Sequence, residues 1–227
     1  MLSFPIPLRF LFASHPHLLA PVLQIVHRTI SGFLIQQAGL KRTEAATGAV
    51  TLIQRFGSAA NLNIHLHCLV LDGVYRTTEG VPVFHAVRAP TATQLQALLS
   101  RIIKRLKRLL TPQGYLIEEL GMTTLADTDP DPVLGPLQAA ACTYRIALGP
   151  RAGQRARHRD VACLARRGRR VLTLQTVPSQ AAPPTPQRCV NAQGFSLHAE
   201  VCCAAHQRKK LEHLCRSSPA PPLPTNA

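Results

Sequence analysis

Several things are scarce in this sequence, and each shortage closes a route. Seven cysteines occur (Cys68, Cys142, Cys163, Cys189, Cys202, Cys203 and Cys215), an odd number with no C-x-x-C pair among them. Neither a disulfide framework nor a zinc ribbon follows from that spacing. Buried free thiols in a reducing cytoplasm are the reading. Acids are few: 11 Asp and Glu stand against 26 Lys and Arg, a net charge of +15. Such a balance favours a polyanionic partner. Asp127, Asp129 and Asp131 gather among prolines in residues 127–136. They lack EF-hand spacing, so the segment reads as a loop and not a calcium site. The start of the chain has no basic n-region, which argues against a signal peptide. Residues 10–27 contain no Lys, Arg, Asp or Glu. They sit at the short limit for a membrane span, and Pro16, Pro21, His15, His17 and His27 break them as one, so no membrane partner is expected. Tyrosine is limited to Tyr75, Tyr115 and Tyr144.

What is present is a patterned chain of 227 residues, enough for one domain with a sizeable core. Residues 18–37 read as a helix, with Leu19, Val22, Leu23, Val26, Ile30, Phe33 and Leu34 at three- and four-residue spacing. Residues 92–110 form the clearest helix, its apolar stripe running from Leu95 through Leu99, Ile102 and Leu106 to Leu110. Residues 2–12 read as a short proline-bearing strand at a sheet edge. Residues 48–56 and 64–71 read as adjacent strands joined by a Gly/Ser/Asn turn. Residues 81–85 and 142–148 read as further strands, and 200–215 as a helix. The expected fold class is α+β: an antiparallel sheet flanked by helices, with 18–37 and 92–110 on one face. Residues 1–148 would form the core domain. Residues 149–190 form a basic and Pro-rich insertion or linker. Residues 191–216 return a strand and helix to the same domain, and 217–227 are a disordered tail.

The sharpest local feature is His65-Leu66-His67. Strand side chains alternate, so both histidines face one way, with Cα atoms about 6.5–7 Å apart. Two imidazoles at that spacing can converge on one divalent cation. Gln54, on the adjacent strand, and Asp72, in the following turn, are the candidates for a third ligand. His15-Pro16-His17 has the same spacing, but Pro16 argues against a central strand there. A second cluster, Arg101, Lys104, Arg105, Lys107 and Arg108, occupies the latter half of helix 92–110. Either it contacts phosphates, or it is a solvated face complementing the helix dipole.

Longer blocks carry a resemblance. Gly48-Ala-Val-Thr-Leu-Ile-Gln-Arg-Phe-Gly-Ser58 and Asn61 to Tyr75 resemble the central block of the rolling-circle, two-tyrosine, His-hydrophobic-His transposases of bacterial insertion sequences. The likeness extends through Leu2-Ser-Phe-Pro-Ile-Pro-Leu-Arg-Phe-Leu-Phe12, Ala140 to Ile146, Gly194-Phe-Ser-Leu-His-Ala199 and Arg208 to Arg216. It implies a DNA-binding and strand-nicking domain for DNA transposition. The histidine pair would bind magnesium or manganese, and the substrates would be single-stranded or hairpin transposon ends. The setting would be the bacterial cytoplasm, at the nucleoid. The family's nucleophilic tyrosines follow the block matching Leu211 to Arg216; here Ser217 to Ala227 follows, with four prolines and no tyrosine. The implied chain is a degenerate copy, out of frame after Arg216, and short of the zinc-binding segment that usually precedes this region. No catalytic nucleophile is assigned. A non-catalytic basic nucleic-acid-binding protein is the alternative.

Overall fold

A computed structural model describes residues 1–56, 62–77, 80–119, 121–126, 152–154, 188–204 and 206–216. The expected loop 127–136, strand 142–148, most of the basic stretch 149–170, the Pro-rich linker 178–187 and the tail 217–227 lie outside the described residues.

The chain begins with a two-residue strand β1, Leu2–Ser3, and turns at once into helix α1, Ile6–Ser14. This corrects the expectation of a strand over residues 2–12 at a sheet edge. Pro5 stands at the helix N-cap and Pro7 in the first turn. Proline is compatible there, because its fixed φ suits a helix and its missing N–H would be unsatisfied anyway. Leu8, Leu11 and Phe12 then fall on one buried helical face. A single 3-10 turn, Pro16–Leu18, leads into α2, Leu19–Gln37.

Strands β3, Ala49–Phe56, and β4, Leu62–Val70, form the expected hairpin, with a bulge between Gln54 and Phe56. Helix α3 spans Ala92–Leu110. Thr91 caps it reciprocally: its hydroxyl accepts from the Gln94 N–H, and the Gln94 side chain accepts from the Thr91 N–H. That is a capping box. Strands β9, Cys189–Ala192, and β10, Phe195–His198, complete the main sheet.

The main sheet has five strands in the order β3-β4-β1-β10-β9, every pair antiparallel. The α+β expectation is met. Strand β1, although short, is interior: Leu2 pairs with Leu66 on one side and Leu197 on the other. Leu2, Ile64, Leu66, Val190, Phe195 and Leu197 turn to one face, where they share a core with α1, α2 and α3. Phe4 is fully buried there, edge-on to Phe12 and Phe195. By length and composition the stretch Pro16–Gln37 could cross a membrane, with a mean hydropathy of 1.5. Here its Leu19, Val22 and Val26 are buried in the shared core.

Two smaller sheets stand beside this layer. One joins β2, Ala45–Ala46, β5, Gly73–Arg76, and β6, Val83–Ala86; the other is the hairpin of β7, Leu116–Glu119, and β8, Met122–Leu125. Gly73 starts β5 beneath the Phe84 ring, and a Cβ there would collide with that ring and with the His85 carbonyl.

The last helix, α4, spans Arg208–Arg216. Residues 201–204, expected to be helical, are not. Val201 is 70% exposed, so this segment offers the core nothing to hold it helical. A local turn replaces the helix: the Ala204 N–H donates to Gln207 Oε1, and the Gln207 N–H donates to the Ala204 carbonyl.

Candidate functional site

The face of the main sheet opposite the helices carries the histidines. Since Ile64 and Leu66 point into the core, strand alternation turns His65 and His67 the other way. Neighbouring strands add to this face in register. Gln54 lies opposite His65 across β3, and Ser3 lies opposite it across β1. Ser3 pairs in turn with Ser196, and Ser196 with Asn191. A polar row therefore crosses all the strands: Gln54, His65, Ser3, Ser196, Asn191. A second row holds Leu52 opposite His67, and His198 opposite Cys189. Met1 is tied into that row by hydrogen bonds in both directions with the backbone of His198.

Sequence reasoning missed Ser3, Ser196, Asn191, His198 and Cys189. The alternation in Phe195-Ser-Leu-His198 was available as a signal. The mistaken strand over residues 2–12 hid Ser3, because it gave no interior position to β1.

Of the two third-ligand candidates, Gln54 is in contact. Its Oε1 lies 3.0 Å from His67 Nε2, and its Nε2 donates to the Phe56 carbonyl at 3.0 Å. The second bond fixes which end of the amide faces His67, so His67 donates from Nε2. Asp72 lies beyond the end of β4, exposed, about 16 Å along the chain from His67 at strand rise. The structure does not bring it to the pair. His15 and His17 are on the helical turn before α2, packed edge-on to each other, with Tyr115 edge-on to His15.

Burial pushes the His67 pKa below the ordinary imidazole value, and the N-terminal ammonium adds to the effect. His198 is lowered for the same first reason. Burial also raises the thiols of Cys68 and Cys189. A neutral imidazole is the form that binds metals. Among the described residues, no group of three or more His, Cys, Asp and Glu stands close enough to hold a metal ion. The donor set is thus two imidazoles with an amide oxygen, which suits a borderline or hard divalent ion but leaves open positions. For His67 Nε2 to ligate, its proton must move to Nδ1, and the bond to Gln54 must open.

These shifts fix a pH dependence. The unfolded chain binds protons at His67 and His198 near 6.5, while the folded chain resists them. Stability is therefore expected to fall as pH drops below about 6.5 and to level off below the folded values. Met1, its amine lowered by burial from 8.0, adds a slope of the same sign at higher pH. Urea unfolding at several pH values should show a shallower slope for His67→Gln/His198→Gln. An unchanged slope would mean that neither group carries it.

The five cations of α3 divide into two sets. Lys107 is committed inside the protein: its Nζ donates to Thr123 Oγ1 at 2.7 Å and lies 3.3 Å from Glu118 Oε1. Arg105 reaches from the flank to Thr29 Oγ1 on α2 at 3.0 Å. Arg101, Lys104 and Arg108 are exposed. With Ser100 and Arg105 they line one cleft of about 410 Å³.

A family model, Y2_Tnp, described as "Putative transposase", matches residues 48–226. That is most of the chain, and it includes the histidine hairpin, α3 and the last two strands of the sheet. The chain belongs to this transposase family. A search of curated proteins and a search of solved structures each found no match. The match gives the transposase DNA as its general partner. Tyr75 of the transposase is on the small β2-β5-β6 sheet, 41% exposed and packed on Phe84. Tyr115 follows α3 and packs against the helix-side core. Neither is on the histidine face, and Tyr144 lies outside the described residues.

Proposed function

We propose that this transposase binds single-stranded or hairpin transposon ends and nicks one strand with the help of magnesium or manganese. One observation carries the reading: His65 and His67 share a sheet face, and the Gln54 amide oxygen is in contact with His67. A divalent ion there would polarise a phosphoryl oxygen and stabilise charge in an in-line displacement. Without metal, Gln54 holds the His67 ring; for Nε2 to ligate, that bond would open and free the amide oxygen to serve as the third ligand. Burial favours the neutral form of His67 that ligation requires. The exposed cations of α3 supply phosphate contacts.

The strand-transfer step is where this chain is weak. A covalent phosphotyrosine needs a hydroxyl in line with phosphorus beside the metal. Tyr75 and Tyr115 face elsewhere. The reading is of a degenerate nickase that binds and positions DNA, with neither described tyrosine on the histidine face and water as the attacking group.

The test is to incubate the purified transposase with end-labelled single-stranded DNA and manganese, then denature. Slow, metal-dependent nicks without a protein–DNA adduct are expected. An adduct abolished by Tyr75→Phe, Tyr115→Phe or Tyr144→Phe would overturn the degenerate reading. DNA binding with no metal-dependent nick would favour a binding protein without catalysis.

A further inference from the structure

The chain keeps its aromatic rings inside, with one exception. Phe4, Phe10, Phe12 and Phe195 are buried, and Tyr115 is half-buried. Among the described residues, Tyr75 and Phe84 are the only phenylalanine or tyrosine side chains that stand exposed. They are cross-strand partners on β5 and β6, with ring centroids 5.1 Å apart and planes tilted by 58°. The sheet is shaped to hold them. The Phe84 ring lies over Gly73, where any Cβ would collide with it. Ala46 is opposite Tyr75, and Ala86 is opposite Gly73, so the two rings stand above small neighbours.

The small sheet continues the histidine hairpin. Leu71 donates its N–H to the Gly48 carbonyl, where the β3–β4 ladder gives way to β2–β5. Val70 and Val74 pack in one cluster with Leu34 and Ile35 of α2. The residues that alternate with them, His65 and His67 on β4 and Tyr75 on β5, turn away from that helix. Between the histidines and the rings stand Val50, on the helix-free side opposite Leu69, and Leu71, both exposed. The result is an apolar strip, two strands or about 10 Å wide, ending in two rings. Tyr75 is about 26 Å of chain from His67 at strand rise, beyond reach of a phosphate at the histidine pair.

Two occupants match the polarity of such a strip: a second copy of this chain, or the bases of an unpaired nucleic-acid strand. Charge separates them. The chain carries +15, so two copies repel each other while a strand of phosphates is drawn in. Among the described residues at the ends of the small sheet, Lys41, Arg42, Arg76 and Arg88 outnumber Glu44 and Asp72. Shape agrees with charge. A narrow strip ending in two exposed rings fits bases lying in single file, and stacking on aromatic rings accepts every base. A duplex keeps its base faces stacked inside and offers none to the rings.

We infer that Tyr75 and Phe84 form a stacking site for unpaired bases of the strand that the histidine face receives. The inference deepens the nicking reading and rests on it only for where the cut falls, since base stacking needs no metal.

The test uses the full chain, an oligothymidine and an abasic strand of equal length and charge, with binding followed by fluorescence anisotropy in EDTA. The unchanged protein should hold the oligothymidine more tightly than the abasic strand. Tyr75→Leu/Phe84→Leu keeps apolar bulk and removes the ring faces. Stacking on a ring is worth a factor of about 5–150 per base, so the double variant should lose at least about fivefold on the oligothymidine and nothing on the abasic strand. Its log–log salt slope should not change, because no phosphate contact is removed. Tyr75→Phe, which keeps the ring, should bind as the unchanged protein does. A matching thermal transition shows that each variant is folded. Equal affinity of the unchanged protein for the two strands overturns the stacking site and leaves the nicking reading standing. So does a double variant that keeps its full preference for bases. A dimer of the unchanged chain that the double variant dissolves, seen by analytical ultracentrifugation, places a second copy on the strip and also overturns the site. Failure to bind either strand overturns both readings. Base preference intact with no manganese-dependent nick sinks the nicking reading alone.

Discussion

Replacing His65 and His67 together by alanine should abolish manganese binding, with metal-dependent nicking lost in parallel. Among the described residues, the two rings are the only imidazoles that share one strand of the main sheet, and no group of three or more His, Cys, Asp and Glu is found there. Both side chains point away from the packed core, so the fold should survive the change. Gln54→Ala separates two roles. An orienting partner of a metal-bound histidine costs about 10–100-fold in metal affinity when removed. A larger loss would make Gln54 a ligand itself. Isothermal titration with manganese reads both. The double histidine variant binding manganese as tightly as the unchanged protein would end the metal-centre reading.

The second large effect is in the core. Leu99 is fully buried at the middle of α3, facing the sheet. Leu99→Ala should cost about 2–5 kcal/mol, the transfer term plus the cavity left behind. Domains of this kind are stable by only about 5–15 kcal/mol, so the variant should lose a substantial share of its stability. Val81→Ala is the control: Val81 is 85% exposed, and surface changes usually stay within about 0.5 kcal/mol. Urea unfolding should show a lower midpoint with an unchanged slope for Leu99→Ala. A loss below about 1 kcal/mol would mean that α3 does not pack as described.

The long elements were legible because their periodicity is strong. Helix 92–110 was legible to the residue, since seven buried apolar side chains recur on one face. Strands around His65 and His67 were legible from alternation. The first dozen residues were misread because prolines there look like strand punctuation, although the first turn of a helix accepts them equally well. No local pattern marks Leu2–Ser3 as an interior strand: two residues carry no period, and their place depends on partners over sixty and nearly two hundred residues away. The same holds for the site. Gln54 was recoverable because it is in the same hairpin as His67. Ser3, Ser196 and Asn191 join the polar face only through long-range pairing. The cations of α3 were visible as a cluster, but which were already committed was not: the partners of Lys107 and Arg105 come from β7, β8 and α2.

The interior position of β1 has a consequence for birth on the ribosome. Met1 and His198 are joined although 197 residues separate them. At about 5–20 residues per second, the first strand waits about 10–40 s for its C-terminal partner to be made. Meanwhile the histidine hairpin can offer β1 only one of its two neighbours, and that strand edge stays open to other chains. Closure of so distant a pair is slow as well as late. A copy of this gene cut short before residue 189 would leave the nascent sheet half-built, with the β1 edge open at Leu2 where Leu197 should lie.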